Sequence, residues 1–147
     1  MEGECFPMSV NRLNAYRQTS VKTASQGRLI VMLYDEAIKQ MDIAEDELGK
    51  NKVQHDAVHN SISKTQDIIT ELMASLDFEK GGEISQNLYN LYMFFNRQLV
   101  QANIDKELTP IIEVRKFMSD LREAWVAIEG TVVNQNSQAS PGVNIAG

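Results

Sequence analysis

The chain has 147 residues, is 43% apolar and carries a formal net charge of −6 with one cysteine, Cys5. That length suits a single domain able to bury a core, and the apolar share argues against general disorder. One cysteine excludes an internal disulfide framework and fits a reducing compartment.

The first residues, MEGECFP, lack the charged region and apolar run of a secretory signal. Met8 is an equally good start, which would leave residues 1–7 as a remnant. No apolar run approaches the roughly 20 residues that span a bilayer. The expectation is a soluble, cytoplasmic protein with no membrane insertion. Between Met8 and Arg28 stand four basic residues (Arg12, Arg17, Lys22, Arg28) and no acid, whereas residues 29–147 hold 10 basic and 18 acidic side chains, a net of −8. A basic arm can reach nucleic acid or lie on its own acidic body. Four charges without a recognisable nucleic-acid fold favour the second reading or a plain solvated arm, so no nucleic-acid partner is expected. Residues 1–24 read as a leader and docking arm.

The first helix is expected to start at Ser25, a good N-cap, and to run to about Leu48, before GKNK. On a 3.6-residue period Leu29, Leu33, Ala37, Ala44 and Leu48 share a face with Ile30, Tyr34 and Met41. Val31 and Ile38 lie beyond that face and Met32 nearly opposite it, so the helix has more apolar side chains than one buried stripe needs. A second helix is expected from about Val53 to Leu76, with Val58, Ile62, Ile69, Leu72, Met73 and Leu76 as its stripe. Gly81 and Gly82 then break the pattern.

The third helix is expected from about Glu83 to Ile104, with Ile84, Leu88, Leu91, Phe95, Leu99 and Ala102 toward the core. Tyr89, Met93, Val100 and Ile104 form a second stripe, roughly 140–200° away around the axis. The fourth helix has Thr109 as N-cap, Pro110 at the first helical position and Glu113 in the first turn. Its stripe is Val114, Phe117, Met118, Leu121, Trp125 and Ile128, and Gly130 is expected to stop it. Short connections favour antiparallel neighbours, hence an all-α, up-down four-helix bundle over residues 25–130. Residues 131–147, uncharged and rich in Asn, Gln, Ser and Gly, read as a flexible tail.

Chemistry finds little support. His55 and His59 stand one helical turn apart, a spacing that can chelate a metal, and Asp56-x-x-His59 resembles half of a di-iron bundle site. Such a site needs a second copy and further inward Glu residues, and neither is present, so two polar side chains beside the core is the better reading. EKGGE has no GK[ST] and follows a helix, which rejects a phosphate loop. No nucleophile elbow appears, Cys5 sits in the leader without an oriented base, and the acids scatter along solvated faces. The expectation is no enzyme, no cofactor, no metal and no small-molecule substrate. What remains is surface: either packing irregularity in a flattened bundle, or a groove that receives apolar helices from another chain.

Several segments, in order, resemble the flagellar secretion chaperone family, FliS. NAYRQTSVKTASQGRLIVMLYDEAI (Asn14 to Ile38) looks like its opening signature, IITELMASLDFEKGGEISQNLYNLYMFFNRQLVQANI (Ile68 to Ile104) its central helix pair and Gly-Gly turn, and FMSDLREAW (Phe117 to Trp125) its last helix. The likeness covers about residues 14–129. It departs at residues 1–13, in the tail and at Gln26, where members often carry Pro. The resemblance implies a four-helix bundle that binds the C-terminal segment of flagellin in the cytoplasm, prevents premature polymerisation and presents the subunit to the flagellar type III export apparatus. It further implies an N-terminal arm, here with Tyr16 and Val21, that occupies an apolar pocket without client. On this reading the surplus apolar side chains are a client groove, formed by Ile30, Val31, Tyr34, Ile38, Tyr89, Met93, Val100 and Ile104. The competing reading is a generic helical adaptor or anti-aggregation module with a different client.

Overall fold

A computed structural model describes the backbone of residues 25–146 and the side chains of residues 25–130. The leader, the arm with Tyr16 and Val21, and Cys5 lie outside the described residues. Among the described residues the backbone forms four helices: α1 (Gln26–Leu48), α2 (His55–Ala74), α3 (Phe78–Asp105) and α4 (Thr109–Ala146).

The ends follow the local chemistry. The Ser25 hydroxyl accepts from the Arg28 N–H at 3.1 Å, satisfying one of the orphan donors of the first turn of α1. The α1–α2 loop is clasped by Glu47, whose carboxylate accepts from the Gln54 N–H at 3.1 Å and from Lys50 Nζ at 3.0 Å. These two donors, the backbone amide first, hold the Glu47 carboxyl below its ordinary value. Helix α2 is two residues shorter at each end than the sequence suggests, within the usual fraying of helix ends.

Helix α3 departs more. It begins at Phe78, five residues before the expected start, because Asp77 caps it by accepting from the Glu79 and Lys80 N–H groups at 3.1 and 3.0 Å. One turn later Gly82 adopts φ 50°, ψ −120°, a conformation that only glycine enters without strain, and the helix bends. A Cβ on Gly81 would meet Ser85 Oγ at 1.9 Å, and that hydroxyl donates to the Asp77 carbonyl at 2.9 Å, closing the bend. The glycine pair thus redirects a helix instead of ending one.

Helix α4 takes its first backbone bond from the Ile112 N–H to the Leu108 carbonyl, so Leu108 holds the cap position expected of Thr109. Gly130 does not stop it; the helical backbone runs on to Ala146. Residues 131–146 include two adjacent valines, three asparagines, Pro141 and Gly142, a composition with little intrinsic helical preference.

Each helix packs against its chain neighbours, and α4 closes the ring against α1, in an antiparallel up-down bundle. Register along α1–α4 is visible in the Arg115–Asp42 and Arg122–Asp35 ion pairs and in Glu129 beside Gly27: partners rise along one helix as they descend the other. These half-exposed pairs orient more than they stabilise, at about 0–1 kcal/mol each.

The core runs through Leu33, Met41, Ile62, Ile69, Leu72, Phe95, Leu99, Ile111 and Met118. Inside it, Tyr34 of α1 and Tyr92 of α3 share a hydrogen bond of 2.5 Å across the bundle diagonal. Burial raises both phenol pKa values above the ordinary 10.0. A raised folded-state pKa means stability that is complete below pH 10 and lost as pH climbs beyond it. Tyr34→Phe and Tyr92→Phe are each expected to cost about 1–3 kcal/mol by stranding the partner hydroxyl. Replacing both should be closer to neutral and should blunt the alkaline transition; urea unfolding at pH 7 and thermal melting up to pH 11 measure this.

Candidate functional site

With catalysis unsupported by motif, the site is sought in apolar surface. The α3 stripe stands where its spacing places it. Val100 is 47% exposed, Ile104 71%, Met93 is exposed and Tyr89 half-buried. Tyr89, Met93, Val100 and Ile104 follow one another at four, seven and four residues, a single row along the helix. From Tyr89 to Ile104 that row is roughly 22 Å long at about 1.5 Å per residue.

One edge of the row borders α2. Asn103 Nδ2 lies 2.9 Å from His59 Nδ1, which brings the two helices together there. Stepping along α2 from His59 by helical spacing gives Ser63, Gln66, Thr70 and Met73 as the facing edge. His59 is also within 3.5 Å of Ser63 Oγ, and no group of three or more potential metal ligands gathers among the described residues.

Three expected surface residues are corrected. Ile30, Val31 and Tyr34 are buried, Val31 and Tyr34 completely. Ile30 and Tyr34 belong to the core and Tyr34 serves the tyrosine pair, while Ile38 is half-buried against that core. The physical reason is the ring of helices. α1 and α3 occupy opposite corners, so the outward row of α3 and the flank of α1 form no common groove. The surplus on α1 is absorbed by contacts with two neighbouring helices, α2 and α4.

A second apolar surface was assigned to the core by periodicity. Ile84 is 71% exposed, and Phe117 and Ile128 are also exposed. Leu88, Leu91, Leu121 and Trp125 are half-buried against the core. Phe117 lies against Phe95 with ring centroids 5.8 Å apart. Eleven residues back along α3 comes Ile84, and eleven forward along antiparallel α4 comes Ile128, so the two lie at one level of the α3–α4 face. Helix α3 therefore carries apolar surface on both flanks. Sequence reading missed Phe78 as well, an exposed ring whose centroid lies 6.0 Å from that of Tyr89.

The described helices include none long and apolar enough to cross a membrane. The arrangement offers exposed apolar side chains along α3 and α4. Its chemistry is burial of apolar side chains from elsewhere, at about 25 cal/mol per Å².

Comparison with known proteins gives the family. The family model described as "Flagellar protein FliS" matches residues 9–132. The chain is 38% identical to the flagellar secretion chaperone FliS of Salmonella typhimurium, over 86% of this chain and 96% of that protein. It is 35% identical to the Escherichia coli protein of the same name, over 74% and 79% of the two chains, and 33% identical to that of Bacillus subtilis, over 78% and 84%. On a match that spans three of its four helices entirely and most of the fourth, the chain belongs to the FliS family of flagellar proteins.

Proposed function

We propose that this protein is a cytoplasmic flagellar export chaperone, without catalytic activity, that holds the C-terminal segment of flagellin until secretion. The observation that carries the reading is the uncovered apolar row Tyr89–Met93–Val100–Ile104 on α3 of a chain whose relatives are named flagellar secretion chaperones. Such a row fits an amphipathic helix laid along it, with anchors recurring at helical spacing.

Magnitudes set the form of the complex. Covering about 80–100 Å² on each anchor contributes roughly 2–2.5 kcal/mol. Ordering a client backbone costs about 1–2 kcal/mol per residue. A few anchors on one row therefore order only a short segment, and the client's own helical bonds and apolar burial must supply the rest. The α3–α4 surface of Ile84, Phe117 and Ile128 offers a second stretch for a client that wraps round the bundle. A client whose apolar face lies on the chaperone cannot present it to another subunit, which is how premature polymerisation is prevented. The complex is then handed to the export apparatus.

The arm belongs to the same reading: Tyr16 and Val21 cover apolar surface when the client is absent. Its support is the basic charge of residues 8–28 beside a body of net −8.

Purified protein is expected to bind flagellin at about one to one, with a large negative heat-capacity change in calorimetry. Flagellin lacking its C-terminal segment should not bind. Equal binding of the truncated form would remove the proposal and favour a generic adaptor.

A further inference from the structure

Of the methionines among the described residues, Met41 and Met118 are enclosed in the core at 1% and 0% exposure, and Met32 and Met73 are half-buried. Among them only Met93 is exposed, at 37%, and it stands in the outward row of α3 between Tyr89 and Val100. A thioether packs as an apolar side chain, yet a mild oxidant converts it to a polar sulfoxide. The phenol of Tyr89 and the hydrocarbon of Val100 and Ile104 offer a peroxide no comparable nucleophile.

The neighbours of Met93 decide what the sulfoxide meets. The α3 positions three and four residues to either side are Tyr89, Asn90, Asn96 and Arg97, so no carboxylate lies within one turn along the helix. Arg97 is exposed, without a hydrogen bond or ion pair to another described residue. Arg115 and Arg122 differ, each being paired with a carboxylate of α1. A sulfoxide oxygen is a strong acceptor, and a guanidinium four residues on is a charged donor within its reach. Oxidation therefore exchanges an apolar anchor for a polar group that has a partner, in the middle of a row suited to burial. Covering that group with an apolar side chain strips it of water and of its donor. The fold is indifferent to the change, since Met93 takes no part in the core cluster.

We propose that Met93 is a reversible oxidation site. An oxidant of the peroxide class converts it to the sulfoxide, Arg97 takes the new oxygen, and the outward row of α3 loses its hold on apolar segments until the thioether is restored. In the forward step the sulfur lone pair attacks the peroxide, the O–O bond breaks, an S–O bond forms and water leaves; sulfur is oxidised by two electrons and the peroxide is reduced. The return step consumes two thiols, which become a disulfide while the oxygen leaves as water. What is switched rests on the chaperone reading; which residue is oxidised does not.

The full chain is treated with hydrogen peroxide, freed of it with catalase, and divided between peptide mapping by mass spectrometry and calorimetry against untreated flagellin. Met93 is expected to gain oxygen at least about tenfold faster than Met41 and Met118, which the packed core shields. With Met93 mostly converted, circular dichroism and melting should match the untreated chain, while flagellin affinity falls about tenfold. Methionine sulfoxide reductases A and B with a dithiol should restore it. Met93→Leu should bind like the parent and keep its affinity through the same treatment, which assigns the loss to this residue. Arg97→Gln should reduce the loss to about threefold, because the charged donor is gone. Equal rates at Met93 and Met118, undiminished affinity of the sulfoxide form, or the same loss in treated Met93→Leu would each overturn the inference, and an unchanged loss in Arg97→Gln would remove Arg97 from it. Untreated protein that fails to bind flagellin sinks the chaperone reading and the switch with it. Flagellin binding that survives oxidation of Met93 sinks only this inference.

Discussion

Phe95→Ala is expected to lower the unfolding free energy by about 3–5 kcal/mol, the largest loss from any single truncation argued for this bundle. Phe95 is fully buried on α3 and touches Tyr92, Phe94 and Phe117, with ring centroids 5.8–6.3 Å away. Removing the ring leaves a cavity between α3 and α4 that rigid neighbours fill only in part. Half-buried Leu88 and Leu121 should cost less when truncated, about 1–2 kcal/mol, because solvent already reaches them. Val31→Glu should be as damaging as Phe95→Ala, since it places a carboxylate at a position with no solvent exposure. Urea denaturation of the four variants gives the order. If Val31→Glu keeps parental stability, Val31 is open surface and not part of the buried face of α1.

Val100→Glu and Ile104→Lys are expected to have the largest effect on client binding with the least on the fold. Each side chain is substantially exposed, so stability should change by no more than about 0.5 kcal/mol. Each loses an anchor worth about 2 kcal/mol on burial, or about thirtyfold in affinity. The two together approach a thousandfold if their effects add, although residues one turn apart can couple. Calorimetry against flagellin and against its isolated C-terminal segment measures the loss; melting curves confirm the fold. Parental affinity in both variants would move the client off this row of α3 and onto the Ile84–Phe117–Ile128 surface.

The four helices themselves were legible in the residues. Apolar side chains recurring every three to four positions, Ser25 ahead of α1 and Pro110 at the head of α4 mark helices through local backbone and side-chain chemistry alone. The outward row of α3 was legible for the same reason: two stripes on opposite sides of one axis cannot both face one core. Tertiary structure alone decided which apolar residue was enclosed by which neighbour. Ile30 and Tyr34 look the same in sequence whether α1 meets one helix or two, and the closed ring buries them. Ile84 and Ile128 keep perfect helical phase yet remain exposed, since phase gives direction around an axis and says nothing of whether another element covers that level. The Gly81–Gly82 pair reads equally as a stop or a bend. Contacts from Asp77 and Ser85 choose the bend, which puts Phe78 beside Tyr89. Periodicity is a property of one helix, and exposure belongs to the whole packed set.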